Sequence, residues 1–132
     1  MKIFNKGSGW EEKVNFVDKN NVFVGYDRAQ TCCEHASWFI SDKEENEDRE
    51  DNGINTGLED YIFDTGYFKE VEPKKEADDS WSCLDQGGMV RFKLIADNKP
   101  DLYLHIFNSH SGHYGHGFEA KIGDTSWKKG WL

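Results

Sequence analysis

The stretch MVRFKLIADNKPDLYLHIFNS, Met89–Ser109, alternates apolar and polar side chains on both sides of a turn signal. The apolar positions that recur with a period of two are Val90, Phe92, Leu94, Leu102, Leu104 and Ile106. Asp97–Pro100 separates the two halves with residues that favour turns. Because a period of two is typical of a half-buried strand, the stretch predicts two antiparallel strands joined by a short connection.

Two further stretches show the same alternation. GFEAKIGD, residues 117–124, places Phe118, Ala120 and Ile122 on one face, which predicts that a third strand completes a C-terminal meander. KVNFVDKNNVFVGYD, residues 13–27, alternates on both sides of Lys19–Asn21, and this predicts an early hairpin. Sequential strands with short links pair antiparallel, with one face buried and the other partly wet.

These strands predict the fold class. We expect one mainly β domain over residues 1–132, an antiparallel sheet arranged as a sandwich or roll, with α+β as the alternative. The apolar run that ends in Trp38–Ile40 fits a strand or a short helix, and Tyr61–Phe63 predicts only loosely regular structure. In the tail, Trp127, Trp131 and Leu132 are expected to dock onto the sheet or to form an apolar patch.

Charge is concentrated in one segment. The formal net charge is −9, but residues 42–79 hold fifteen of the 25 acidic residues and only five of the 16 basic ones. This window therefore carries −10, and the rest of the chain is close to neutral at +1. We interpret residues 42–79 as a long, acidic, insert-like excursion from the β scaffold, with a pattern that is compatible with a short helix.

The densest part of this excursion is the candidate partner-binding site. The acidic side chains expected to bind are Glu44, Glu45, Glu47, Asp48, Glu50 and Asp51. A solvated loop is the simpler interpretation of such a run, and the alternative is a patch that attracts a protein with a basic surface. The net charge opposes direct nucleic-acid binding, and the two lysines of SWKKGWL are too few to form a groove alone.

The start of the chain and its cysteines predict a compartment. MKIFNKGSGW has no apolar signal region, and no apolar run reaches the roughly 18 residues of a membrane span. Three cysteines, of which Cys32 and Cys33 are adjacent, do not form a disulfide framework. We therefore expect a cytoplasmic protein with reduced thiols and no membrane contact, and unpaired sheet edges make a homodimer a further expectation.

Two short motifs carry a resemblance. CCE at Cys32–Glu34 precedes the predicted meander, and Gly112 and Tyr114 form a Gly-x-Tyr corner before the last strand. In these motifs the chain resembles an uncharacterised family of β-rich domains from bacteria, phages and other mobile elements. The resemblance implies a β fold and origin from a mobile element, and it implies no catalytic residues or cofactor.

The histidine-rich corner NSHSGHYGHGFE, residues 108–119, suggests an alternative function. Cys33, His35, His110 and His113 are the residue types that zinc or a thiol-dependent enzyme needs. No Cys-x-x-Cys is present, however, and Gly112, Gly115 and Gly117 favour a tight corner on which the histidines are exposed polar fillers. A third alternative is a small nucleotide-ligand sponge, with Arg91 near a phosphate. We favour a non-catalytic binding or inhibitor protein without a cofactor.

Overall fold

The computed structural model describes residues 1–7, 12–28, 34–45, 53–71, 86–110 and 116–132, with the backbone alone at 34, 35, 86, 87, 109 and 110. In this part of the chain the regular elements are nine strands. They are β1 (Lys2–Lys6), β2 (Lys13–Val17), β3 (Val22–Asp27), β4 (Glu34–Ser41), β5 (Ile62–Val71), β6 (Gln86–Ile95), β7 (Leu102–His110), β8 (Gly117–Ile122) and β9 (Thr125–Trp131).

The strands form two antiparallel sheets that pack together as a sandwich. The first sheet has the order β1-β2-β3-β8-β9, and the second has the order β4-β7-β6-β5. The predicted mainly β fold is therefore confirmed. No helix in the described ranges is long and apolar enough to cross a membrane.

The early hairpin is confirmed, and its turn also joins the two sheets. Asn21 at φ 61° provides the left-handed residue between β2 and β3. The carboxylate of Asp18 accepts hydrogen bonds from the backbone N–H groups of Asn20 and Val22, both at 2.9 Å, through Oδ1. Its other oxygen accepts the N–H of Phe63 at 2.8 Å. One buried side chain thus satisfies the turn and ties it to β5 in the second sheet.

The strand pair predicted for Met89–Ser109 is also confirmed, and it forms the middle of the second sheet. β6 and β7 pair along nine register positions, and Asn98 at φ 59° lies in the connection between them. Phe92, Leu94, Leu104 and Ile106 are fully buried on the face turned toward the first sheet. The alternation that predicts the strands thus identifies the core side correctly.

The predicted meander is wrong at its third strand. β8 pairs with β3 and β9 in the first sheet rather than with β7. The reason is that alternation identifies a strand and its buried face but contains no information about the neighbour. β9 is the outer neighbour of β8, and Gly123 at φ 60° lies in the tight turn between them.

Aromatic contacts between the sheets form the core. Phe16 of the first sheet and Trp38 of the second meet edge to face with ring centroids 5.1 Å apart. Phe92 contacts Trp127 in the same manner at 5.7 Å. The hydroxyl of Tyr26 donates a hydrogen bond to the carbonyl of Phe107 at 2.9 Å, so this buried phenol is satisfied by the opposite sheet.

The segment 42–79 contributes more to the scaffold than its charge predicts. It contains β5, and Leu58, Tyr61 and Phe63 from this segment are buried in the main core. The expectation of loosely regular structure around Tyr61–Phe63 is therefore wrong. The N-terminal ammonium also docks here, because it donates hydrogen bonds to the carbonyls of Leu58 at 2.7 Å and Tyr61 at 2.9 Å.

Candidate functional site

The densest acidic run leaves and rejoins the scaffold at one point. We call residues 41–53 the acidic loop; it follows β4, and the N–H of Ile54 donates a hydrogen bond to the carbonyl of Ile40 at 2.8 Å. Gly53 packs so closely on β4 that a Cβ at this position would lie 2.7 Å from the backbone nitrogen of Ile40. A side chain larger than glycine would therefore push the returning chain off the strand.

The acidic loop concentrates charge between these fixed ends. Its thirteen residues include seven acidic and two basic ones, which gives a formal net charge of −5. Of the six predicted binding residues, Glu44 and Glu45 lie in the described part of the chain. Glu47, Asp48, Glu50 and Asp51 lie outside the described residues. Glu45 is exposed, whereas Glu44 is half-buried and contacts the second sheet.

Glu44 is held by two side chains of β5. Its carboxylate accepts a hydrogen bond from the hydroxyl of Tyr67 at 3.0 Å and forms an ion pair with Lys69. Lys69 and then Tyr67 hold the pKa of the Glu44 carboxyl below its usual value. The Glu44 carboxylate in turn raises the pKa of Lys69. Glu44 is therefore an anchor for the acidic loop, with its charge compensated by the protein.

This anchor places residues 42–45 over the outer face of the second sheet, the face turned away from the core. Ser41 lies at the β4 edge, while Tyr67 and Lys69 belong to β5 at the opposite edge. The hydroxyl of Ser41 accepts a hydrogen bond from the N–H of Lys43 at 3.1 Å, which fixes the start of the crossing. The chain thus crosses toward β5 above the central strands.

Under this crossing the outer face is buried. The register places Phe39, His105 and Arg91 side by side on β4, β7 and β6. The rings of Phe39 and His105 stack with centroids 4.3 Å apart and planes 12° from parallel. His105 is completely buried and Arg91 is 6% exposed. The alternation of apolar and polar residues assigns Arg91 and His105 to the partly wet face, and that interpretation is wrong because it omits the segment that covers them.

Burial and the neighbouring Arg91 together keep His105 neutral. The Nε–H of Arg91 donates to Nδ1 of His105 at 3.3 Å, which requires the imidazole to be neutral with its proton on Nε2. Burial and then the Arg91 charge lower the pKa of His105 to about 4, and the backbone of Lys43 opposes this shift in part. Nε2 is buried, and among the described residues it makes no hydrogen bond of normal length and angle. This histidine therefore remains uncharged at neutral pH.

A small apolar cluster continues this buried face. Phe39, Met89 and Phe107 form a core of their own, with Val71 packed against it. The rings of Phe39 and Phe107 lie 6.0 Å apart. Because Phe107 is 1% exposed on the side away from the main core, the second sheet is buried on both faces here.

Of the four residues proposed for a zinc or thiol site, the structure describes only the backbone of His35 and of His110. Cys32, Cys33 and His113 lie outside the described residues. The backbone of His35 is opposite Ser109 and that of Glu34 is opposite His110 in the β4–β7 ladder. Within the described ranges, no group of three or more His, Cys, Asp or Glu side chains could hold a metal ion.

One histidine of the glycine-rich corner has a structural role. His116 is 3% exposed, and its Nδ1 lies 2.8 Å from the carbonyl of Asp27. Its backbone N–H and C=O both pair with Leu132, at 2.8 Å and 2.9 Å. The expectation of an exposed polar filler is therefore wrong for His116, because this residue fastens the end of the chain to the first sheet.

Arg91 does not line the cleft that is found among the described residues. The nucleotide-sponge alternative needs Arg91 near a ligand phosphate, but its side chain is directed to His105 and Tyr67 beneath residues 42–45. A shallow cleft of about 290 Å³ lies elsewhere, at one end of the sandwich. Its lining residues are Lys19, Asp60, Ile62, Ile95, Ala96 and Asp97.

No protein-family model, curated protein or solved structure matches this chain.

Proposed function

We propose that this chain is a small, non-catalytic binding or inhibitor protein that engages the basic surface of another protein through the acidic loop. The observation that carries the proposal is the hydrogen bond between Ile54 and Ile40, which closes the loop at its base. A formal charge of −5 thereby belongs to one segment whose two ends meet at β4, an edge strand of the second sheet. Local charge of one sign accelerates association with a partner of the opposite sign and makes it sensitive to salt.

The roles of the six acids differ in this proposal. Glu44 fastens the loop to Lys69 and Tyr67, and the other five present negative charge. Apolar contact comes from Ile54 at the base of the loop and from two tyrosines on the side of the sheet where Glu44 is held. Ile54 is 37% exposed, and the rings of Tyr67 and Tyr103 lie 5.8 Å apart beside Glu44. Tyrosines are enriched in protein interfaces, where a polar rim surrounds the apolar contacts.

The resemblance described above adds a biological context to the proposal. A phage or another mobile element would encode the protein, and the partner would be a host defence or nucleic-acid enzyme, whose basic surface evolved to meet phosphates. The protein would act in the cytoplasm, where such enzymes work.

The test compares three baits in affinity capture from a bacterial lysate at about 50 mM and about 500 mM salt. The loop variant replaces five acids with their amides and retains Glu44: Glu45→Gln, Glu47→Gln, Asp48→Asn, Glu50→Gln and Asp51→Asn. The control variant makes the same change in charge at exposed acids elsewhere: Glu59→Gln, Glu70→Gln, Asp97→Asn, Asp101→Asn and Asp124→Asn.

The expected result is that the wild type and the control variant capture the same basic proteins at low salt and that the loop variant captures none of them. A lysine octapeptide titrated against each bait gives the matching measurement in purified form. Equal loss in both variants would show that net charge alone is responsible, and undiminished capture by the loop variant would remove the proposal.

A further inference from the structure

The outer face of the first sheet collects lysines that are far apart in the sequence. The strands of this sheet contain six lysines and two acidic residues, Asp27 and Glu119. Five lysines occupy register positions on the face turned away from the core: Lys2, Lys6, Lys13, Lys121 and Lys129. Within the described ranges only Lys121 among these five forms an ion pair, with Glu119 at 3.6 Å. We call this surface the lysine face.

The register shows how the lysine face is built. Residues directly opposite on neighbouring strands point to the same side of a sheet, and the buried Val14 and Phe16 mark the inner side of β2. The first outer row across the sheet is Lys2, Val17, Phe23, Lys121 and Ser126. The second is Phe4, Asn15, Gly25, Glu119 and Lys129. With strands about 4.8 Å apart, the five-stranded face is about 19 Å wide.

Aromatic rings lie flat on this face. Gly117 is opposite Trp131 in the β8–β9 ladder, and three atoms of the six-membered ring of Trp131 lie 3.4–3.6 Å from the place of a Gly117 Cβ. The ring of Phe23 covers Gly25 in the same way, with Cζ only 2.8 Å from the place of its Cβ. The absence of a Cβ at each glycine leaves the space in which the ring packs against the sheet. Trp131 is nevertheless 76% exposed and Phe4 is 45% exposed, so apolar ring surface remains open to solvent.

Lysines interleaved with open aromatic rings select one class of ligand. A polymer that alternates phosphates with planar bases can neutralise the lysines and stack on the rings at the same time. We propose that the lysine face binds single-stranded nucleic acid without sequence preference. The net charge of −9 argues against nucleic-acid binding when only the composition is considered. In the folded protein, however, the lysine face and the acidic run belong to different sheets. Residues 42–45 cross the outer face of the second sheet, and the lysine face is on the other side of the sandwich.

The test measures fluorescence anisotropy of a labelled twelve-nucleotide oligothymidylate, a length within the range of about 4–16 nucleotides that single β-domains cover. Trp131→Ala is expected to weaken binding roughly 5- to 100-fold, because stacking on one ring is lost. Lys13→Gln and Lys129→Gln are each expected to reduce the slope of log affinity against log salt by about 0.7. Binding should quench the fluorescence of Trp131 in the wild type.

Matched controls keep the test decisive. Lys99→Gln changes the charge equally in the connection between β6 and β7 of the second sheet, and Ile54→Ala removes exposed apolar surface beside the acidic loop. Both are expected to bind as the wild type does. Because Trp131 is largely exposed, its substitution leaves the fold intact, which the thermal melting curve checks.

Three outcomes would overturn the proposal. The first is an affinity unchanged by Trp131→Ala and by both lysine substitutions. The second is equal affinity for an abasic sugar-phosphate polymer of the same length, which would make the face a general polyanion site. The third is self-association through this face in place of oligonucleotide binding, seen as a dimer in sedimentation that Trp131→Ala dissolves. The five substitutions of the loop variant change none of the residues of the lysine face, so the two proposals fail independently.

Discussion

The outer faces of the two sheets differ, although both are made of alternating strands. On the first sheet the outward positions hold five lysines and open rings, among them Trp131 at 76% exposure. On the second sheet they hold two buried residues: His105, beneath a crossing that Glu44 anchors, and Phe107, in the small cluster with Phe39 and Met89. The difference shows that the character of a sheet face depends on what crosses it as well as on the side chains it displays.

Phe107→Ala and Phe4→Ala compare the two outer faces directly, and they give the largest expected effect. Phe107 is 1% exposed in the small cluster with Phe39 and Met89, so its truncation creates a cavity and should cost about 3–5 kcal/mol in the free energy of unfolding. Phe4 is 45% exposed, and its truncation should cost less than about 1 kcal/mol. Urea denaturation of both variants provides the measurement. Similar small losses would mean that the outer face of the second sheet is not a core.

This asymmetry between the faces marks the limit of what the sequence predicts. Alternation around Val90–Leu94 and Leu102–Ile106 predicts two strands and their core side, because burial of one face imposes a period of two. It does not predict that β8 pairs with β3, because strands of either sheet have the same pattern. The same alternation assigns His105 to the wet face, because the segment that covers it follows β4, far away in the sequence.

The candidate sites show the same limit. The acidic loop is visible in the sequence because its charges are consecutive. The lysine face is not, because Lys2, Lys13 and Lys129 come to share one sheet face only through the order of the strands. The two lysines of SWKKGWL are too few alone, and the fold brings lysines from three other strands to the same sheet. Assembly by topology is a property that local patterns do not contain.

The pH dependence of stability tests the burial of His105 beneath residues 42–45. Its pKa is about 4 in the folded protein and near 6.5 when unfolded, so the unfolded chain binds a proton first as the pH falls. The stability that the neutral imidazole contributes is complete above about pH 6.5 and is lost as the pH falls toward 4. The expected loss is about 2 kcal/mol by pH 5 and about 3 kcal/mol in total.

The control for this pH dependence is a variant without the imidazole, and the titration of Glu44 must be separated from it. His105→Gln should flatten the stability curve between pH 6.5 and 5, whatever its stability at pH 7. Protonation of Glu44 also destabilises the fold, because Lys69 and Tyr67 hold the pKa of this carboxyl below its ordinary value near 4.5. The stability that the Glu44 carboxylate contributes is therefore lost only below about pH 4.5. Denaturant midpoints of both proteins at several pH values separate the two windows. Parallel curves would contradict a buried, neutral His105.

Glu44→Gln and Glu45→Gln test the anchor of the acidic loop, and here the smallest effect is expected. The amide at residue 44 cannot pair with Lys69, so the melting temperature should fall slightly, and more at low salt than at high salt. The backbone amide of Lys43 should also exchange its hydrogen faster, since the crossing loses its hold on β5. Burial still raises the pKa of the Tyr67 phenol, but without the Glu44 carboxylate this pKa should fall toward its ordinary value.

Glu45→Gln removes the same charge from an exposed neighbour and should leave all three measurements unchanged. Identical behaviour of the two variants would mean that the outer face of the second sheet stays covered without this ion pair, and the contrast between the two faces would then rest on packing alone.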